Sequence, residues 1–248
     1  MGGEGEAFET THWSQIQDAQ RCDGPSKREI IARLLARYWK PVYCYLKRKG
    51  YDNESAKDLT QGFFHEIVLK RDLIQHCDEA KGRFRTFLLT ALGHYLVSAH
   101  RAMEATVRRP GQGMVSLESF DESSFPAVSS EMKPDEAFVY VWASELVDGV
   151  LAEVEQQCSQ DDKAAYWGIF RARVLEPIMV GTEPKPLSEL CKQFGIESET
   201  KASNMLVTVK RRFQTAIRRR VALHVHSAEE VTQEICDLML ILSKSRAG

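Results

Sequence analysis

The sequence lacks the motifs that would point to a metal site, a disulfide framework or a membrane span. Its cysteines are scattered, with no C-x-x-C pair and no histidines at metal-ligand spacing, so we expect no zinc site. They are Cys22, Cys44, Cys77, Cys158, Cys191 and Cys236. No signal peptide and no apolar run of membrane-spanning length is visible. We therefore expect a cytoplasmic protein that does not bind a membrane, in which the thiols behave as small buried hydrophobes.

Strand-like alternation of apolar and polar residues is also absent. Apolar residues instead recur every three or four positions, which predicts an all-α protein. The chain has 248 residues, of which 43% are hydrophobic and 27% charged, an ordinary composition for one or two domains. The histidines fall in different predicted helices without a shared motif. An enzyme would need convergent acid, base or metal ligands, so we expect no catalytic residue, no metal and no cofactor.

Charge is distributed unevenly along a chain whose net charge is only −2. Residues 81–113 carry six cations and one anion, Glu104, and residues 201–220 carry seven cations and no anion. Acidic residues concentrate between these blocks, in 114–136 and 145–162. This alternation suggests that the basic blocks form surfaces that bind nucleic acid. The acidic blocks would then be linkers or surfaces that face other proteins.

The first basic block contains an amphipathic helix. Phe84, Phe87, Leu88, Ala91, Leu92 and Tyr95 form its apolar stripe. Cations contact backbone phosphates, and flat aromatic rings stack on unpaired bases. A helix that carries both is suited to bind a DNA strand separated from its duplex. The residues assigned to this role are Lys81, Arg83, Arg85, Phe87, His94, Tyr95 and Arg101. The alternative is an ordinary solvated helix face.

Residues 108–135 are rich in serine, glycine, proline and acids, and we predict a flexible acidic linker there. This linker separates two small helical domains, a first at 26–107 and a second at 136–226. An N-terminal extension at 1–25 and a C-terminal helix at 227–248 flank them. Within the first domain, Pro41 either begins a helix or kinks a longer one, and Asn53 is the predicted cap of the next helix.

A second motif lies in the second basic block. Residues 187–196 followed by 202–206 have the helix, glycine turn and second helix of a helix-turn-helix, with Gly195 at the turn. The beginning of the second helix would contact base edges and its later cations would contact phosphate. The assigned residues are Ser203, Asn204, Thr208, Lys210, Arg211 and Arg212. A plain helical hairpin gives the same apolar spacing, but the cations favour DNA.

Together these features resemble bacterial RNA polymerase sigma factors of the extracytoplasmic-function type, over about residues 30–221. The resemblance is carried by Asp58-Leu59-Thr60-Gln61-Gly62-Phe63-Phe64, by Phe84-Arg85-Thr86-Phe87-Leu88-Leu89-Thr90-Ala91, by the acidic linker and by the helix-turn-helix.

The resemblance implies a protein that directs core RNA polymerase to promoters and opens promoter DNA. Its first domain would dock on core polymerase through Asp58, Gln61, Phe64 and Glu66, and its basic helix would open and read the element nearest the start site. The helix-turn-helix would read the upstream element. Core RNA polymerase and promoter DNA are the implied partners, an inhibitory protein is a further candidate partner, and no cofactor is implied.

Several residues depart from the family pattern, including Phe87 and His94 on the basic helix and two residues on the docking surface. Gly62 stands where an acidic residue usually follows the glutamine, and Lys57 stands where a carboxylate is common. The alternative function is therefore a DNA-binding transcription regulator that no longer docks on polymerase.

The C-terminal helix has Val231, Ile235, Leu238, Met239 and Leu242 on one side and acids on the other. We expect it to pack on the second domain, or else to dock onto a partner.

Overall fold

A computed structural model of the chain describes residues 13–21, 24–66, 73–76, 83–105, 125–126, 128–223, 225 and 227–244. These residues are helices and connections with no β-strand among them, so the predicted all-α fold class is confirmed. None of the described helices combines the length and apolar character needed to cross a membrane.

The described part of the chain contains ten α-helices. They are α1 Trp13–Arg21, α2 Pro25–Arg48, α3 Asn53–Phe63, α4 Phe84–Ala105, α5 Pro134–Gln160, α6 Ala164–Phe170, α7 Glu176–Val180, α8 Leu187–Phe194, α9 Glu199–Ala222 and α10 Ala228–Lys244. A 3-10 turn spans Leu73–His76, and a π-helical turn spans Arg171–Leu175.

Two local predictions in the N-terminal half are decided by these helices. Pro41 lies inside α2, so it is part of a longer helix and does not begin a new one. The cap of α3 is Asp52, whose side chain accepts a hydrogen bond from the Ser55 backbone N–H at 2.8 Å. The prediction of Asn53 as the cap was wrong by one residue. The same bond from Ser55 lowers the pKa of the Asp52 carboxyl.

The chain divides into two compact units, and the division falls inside α5, between Glu145 and Leu146. The larger unit comprises residues 10–145 together with 222–248, and the smaller unit comprises 146–221. The predicted linker lies mostly outside the described residues. Its described end is fastened to α2, because Arg48 donates hydrogen bonds to the carbonyls of Met132, at 3.1 Å, and Ser130. The predicted domain boundaries stay predictions.

Tyr38 of α2 lies in the core of the larger unit. Its ring lies 5.3 Å from that of Phe84 at the start of α4, in an edge-to-face arrangement. It also stacks at 6.3 Å on Phe138 of α5. All three side chains are buried. The beginning of α4 is therefore fixed between α2 and α5 by aromatic contacts.

The C-terminal helix α10 belongs to the larger unit, and the prediction that it packs on the second domain was wrong. Its buried stripe consists of Glu234, Leu238 and Ile241, while Met239 is 66% exposed. Glu234 contacts Arg83 and Arg85 at the start of α4. Ion pairing therefore adds to apolar burial in determining which face of α10 lies inward.

The smaller unit packs the second half of α5 with α6, α8 and α9. Its core includes Val150, Val154, Ile169, Leu190 and Val209. Gly168 of α6 allows close approach of Phe194 at the end of α8, because a Cβ at this position would lie 2.6 Å from the phenylalanine ring.

Most described cysteines are buried in helices, as expected. Cys44, Cys158 and Cys191 are buried, whereas Cys236 on α10 is exposed. Burial raises the pKa of the Cys44 thiol to about 12, so this thiol stays protonated at neutral pH. Cys22 and Cys77 lie outside the described residues.

Replacing Phe64 by alanine is expected to destabilise the larger unit. Its ring is 5% exposed and lies 5.2 Å from that of Phe63, so truncation leaves a cavity costing about 3–5 kcal/mol of unfolding free energy. Denaturant unfolding measures this loss. The control is Ser98→Ala, an exposed change in the same unit that should cost under about 0.5 kcal/mol. Equal stabilities of the two variants would contradict the core role of Phe64.

Candidate nucleic-acid interface

Two of the cations assigned to the opened DNA strand, Arg83 and Arg85, are paired with a carboxylate of the protein itself. Nη1 of Arg83 lies 2.5 Å from Oε2 of Glu234, and Nη1 of Arg85 contacts Oε1 of the same carboxylate. Asp237, one turn further along α10, lies 3.7 Å from Arg83. The Glu234 side chain has no solvent exposure. One carboxylate thus lies between two guanidinium groups, whose positive charges offset part of the cost of burying it.

Arg85 is the more deeply held of the two arginines. Its side chain is 8% exposed, and its guanidinium carbon lies 4.6 Å from the ring centroid of Trp142 on α5. A planar guanidinium on an indole face is a favourable cation–π arrangement. Arg83 is more open, with 33% of its side chain exposed.

Further along α4, two of the assigned residues lie on an open face. His94 and Arg101 are exposed and are separated by two helical turns. Phe87 and Tyr95 are half-buried. Lys81 lies outside the described residues. The structure thus places the α4 candidates in two groups, one held by α10 and one facing solvent.

Tyr95 explains the glycine at position 62. Its ring packs at 5.6 Å on Phe63 of α3, and a Cβ on Gly62 would lie 2.3 Å from the Tyr95 hydroxyl oxygen. Burial, together with the charge of Glu66, raises the pKa of the Tyr95 phenol. The departure from the family pattern at position 62 therefore has a packing partner within this chain.

The four residues assigned to polymerase docking differ in their accessibility. Asp58 is exposed on α3, whereas Gln61 and Glu66 are half-buried. Phe64 is buried in the core. Lys57, the second departure from the family pattern on the docking surface, forms an ion pair of 3.1 Å with Glu54.

The connection between α8 and α9 is a tight turn of residues 195–198. Gly195 adopts a left-handed conformation with φ 64°, and the Ile196 N–H donates to the Cys191 carbonyl at 2.8 Å, so α8 ends in a glycine cap. The Ser198 hydroxyl accepts a hydrogen bond from the Lys201 N–H at 3.2 Å and caps α9. The Arg173 guanidinium supports the loop before α8 by donating to the carbonyls of Pro184, at 2.8 Å, and Lys185.

The outer face of α9 presents most of its assigned residues. Ser203, Asn204, Lys210 and Arg211 are exposed, and Thr208 is half-buried with its hydroxyl donating to the Asn204 carbonyl. Lys210 and Arg211 have no acidic partner among the described residues. The opposite face, with Ala202, Met205, Leu206 and Val209, is buried. The apolar spacing therefore determines which face of α9 points outward.

Arg212 is the exception on α9, because it contacts the end of α5. Its Nη2 lies 2.5 Å from Oδ2 of Asp161, and this contact lowers the pKa of the Asp161 carboxyl. Glu153 of α5 holds Arg220 at 3.1 Å and also contacts Arg219. Three of the α9 cations thus fasten α9 to α5.

The sequence interpretation missed the acidic partners of its own cations. The sequence predicts Asp161 and Glu153 in an acidic segment and Glu234 on the acidic side of the C-terminal helix, whereas in the structure each of the three contacts arginines. One signal was available for Arg85, which precedes Leu88 by three residues and Leu92 by seven. This spacing places Arg85 on the buried stripe of α4.

Gly62 and Tyr95 should be energetically coupled. Gly62→Ala brings a methyl group against the Tyr95 hydroxyl, and this overpacking should lower the free energy of unfolding by about 1–3 kcal/mol. The better helix propensity of alanine offsets about 1 kcal/mol of this loss. In a Tyr95→Phe background the nearest remaining ring atom is 3.5 Å away, an ordinary contact. Denaturant unfolding of both single variants and the double variant should therefore give a coupling energy of about 1–3 kcal/mol. Additive effects would exclude the contact.

No family model, curated protein or solved structure matches the chain, so these comparisons assign no role to the surfaces. Among the described residues, no group of histidine, cysteine and carboxylate side chains is arranged to hold a metal ion. The geometry of α4, α9 and α10 is therefore the basis for assigning a function.

Proposed function

We propose that this protein is a sigma factor that directs core RNA polymerase to promoters and helps to open promoter DNA. In this proposal α8 and α9 form a helix-turn-helix that reads intact duplex, and α4 contacts the opened strand. The protein itself performs no chemistry, because the polymerase is the enzyme. Core RNA polymerase and promoter DNA are the proposed partners, and the cytoplasm is the proposed location.

The observation that best supports this function is the exposed face of α9. Ser203 and Asn204 lie near its beginning and can reach base edges, and Lys210 and Arg211 lie further along and can reach phosphate. Glu199, at the first position of the helix, is its only acidic residue. A helix with this polarity fits a major groove, where its N-terminal residues contact bases.

The proposed role of α4 rests on its exposed residues and on the two arginines at its start. His94 offers a ring for stacking, and Arg101 offers a charge for phosphate, on the same face. Two DNA-binding modules in one chain gain affinity by raising each other's effective concentration at the promoter.

A DNA-binding regulator without polymerase docking is the second candidate. It is favoured by the α3 surface, where Phe64 is buried and where Gly62 provides space for Tyr95 in place of an acidic side chain. Both candidates share the α9 surface, so duplex binding does not distinguish them.

Transcription with purified core RNA polymerase distinguishes the candidates. The chain should co-purify with core polymerase and should yield run-off transcripts from a library of genomic fragments. Asp58→Lys, which reverses the charge of the exposed candidate contact, should weaken co-purification while leaving duplex binding intact. If the chain binds duplex but neither associates with core polymerase nor supports transcripts, the regulator is the correct assignment.

Arg211→Glu should weaken duplex binding and flatten its salt dependence. Loss of one phosphate contact removes one released counterion, so the slope of log affinity against log salt should fall by about 0.9. Fluorescence anisotropy with a promoter-bearing duplex at several salt concentrations measures both quantities.

The matched control for this experiment is Arg171→Glu. It makes the same change of charge at an exposed arginine of the smaller unit that lies outside α9 and pairs with Glu176. A slope that falls equally in both variants would mean that general charge, not an α9 contact, drives binding.

A further inference from the structure

The two arginines at the start of α4 already bind an anion supplied by the chain itself. Glu234 presents one carboxylate oxygen to Arg83 and the other to Arg85. A phosphodiester presents a similar pair of anionic oxygens to guanidinium groups. Glu234 therefore occupies the position in which a backbone phosphate of an opened DNA strand would contact these two residues.

We propose that α10 is an internal competitor of single-stranded DNA, covering the Arg83 and Arg85 site until DNA displaces it. This inference rests on the proposed role of α4 in holding an opened strand. The free chain would then hold its own strand-binding site closed, and release of α10 would accompany promoter opening.

The charge of α10 supports this competition. On the side of the helix that meets the start of α4, Glu234 is followed one turn later by Asp237. Asp237 adds a second carboxylate at 3.7 Å from Arg83. An acidic helix facing cations resembles the nucleic acid in charge, and its hold weakens in salt, as phosphate contacts do.

The packing of α10 suits a detachable element. Its buried apolar side chains are Leu238 and Ile241, whereas Met239 and Leu240 are 66% and 65% exposed. Its N-terminus is capped locally, because the Ser227 hydroxyl accepts a hydrogen bond from the Glu230 N–H. The Glu234 ion pairs and these two apolar side chains therefore attach α10 to the rest of the unit.

The position of Arg85 distinguishes this site from an accidental surface contact. Its guanidinium lies on the Trp142 ring on one side and contacts Glu234 on the other. The indole fixes the arginine from α5, so its orientation does not depend on α10 alone. After displacement of Glu234, Arg85 would remain oriented to receive a phosphate.

Glu234→Gln tests the competition, because it removes the charge and preserves the shape of the side chain. Binding of a fluorescent single-stranded DNA oligonucleotide to the full-length chain should tighten about tenfold. The salt slope should stay nearly the same, because DNA displaces Glu234 in the unmodified chain and both complexes then make the same two phosphate contacts. In the double variant Arg83→Gln/Glu234→Gln one of these contacts is lost, so the slope should be shallower by about 0.7.

The matched control is Glu229→Gln, the same change of charge at an exposed position on α10. It should alter affinity less than twofold. A folded Glu234→Gln variant that binds like the unmodified chain, or a gain of the same size in Glu229→Gln, would overturn the inference.

Circular dichroism establishes whether Glu234→Gln folds, since the substitution leaves Arg85 buried without its carboxylate. If it does not fold, binding of single-stranded DNA by the Asp237→Asn variant tests the competition instead. This milder change should tighten binding about twofold to threefold, and no gain would overturn the proposal. If neither the unmodified chain nor any variant binds single-stranded DNA, the proposed role of α4 in strand binding is refuted together with the competition. If all variants bind single-stranded DNA equally well, only the competition by α10 is refuted.

Discussion

A carboxylate without solvent exposure, Glu234, lies between two arginines, and this contact joins α10 to the start of α4. Removing an ionised group from water costs several kcal/mol, which only close opposite charges can offset. Arg83 and Arg85 supply those charges, and aromatic packing of Phe84 on Tyr38 fixes the segment that carries them. The inward face of α10 is consequently set by charge as well as by apolar burial.

The smaller unit uses its cations differently. Asp161 and Glu153 hold Arg212, Arg219 and Arg220 against α5, while Lys210 and Arg211 remain on the exposed face of α9. Some cations of α9 thus attach the helix to α5, while neighbouring cations stay available for the proposed DNA contact. At the start of α4, Arg83 and Arg85 are paired with α10. Under the proposed function and the proposed competition, the duplex-reading surface is therefore open in the free chain, and this part of the strand-binding surface is covered.

Local pattern predicted much of this fold. Periodic apolar residues identified the helices, Gly195 identified the α8–α9 turn, and the buried stripe of α9 followed from Ala202, Met205 and Val209. Partners distant in sequence could not be predicted, because nothing near Arg85 indicates that Glu234 will contact it. Capping was ambiguous for a related reason, since adjacent Asp52 and Asn53 are equally good caps and only backbone geometry selects the first.

Hydrogen exchange of the α10 amides, with and without single-stranded DNA, tests the central claim most directly. A helix of 17 residues owes most of its stability to packing, so α10 should lose protection once it leaves α4. The competition predicts slow exchange in residues 228–244 of the free chain and markedly faster exchange at saturating DNA, while α9 stays protected. Unchanged or increased protection of α10 in the DNA-bound chain would contradict it.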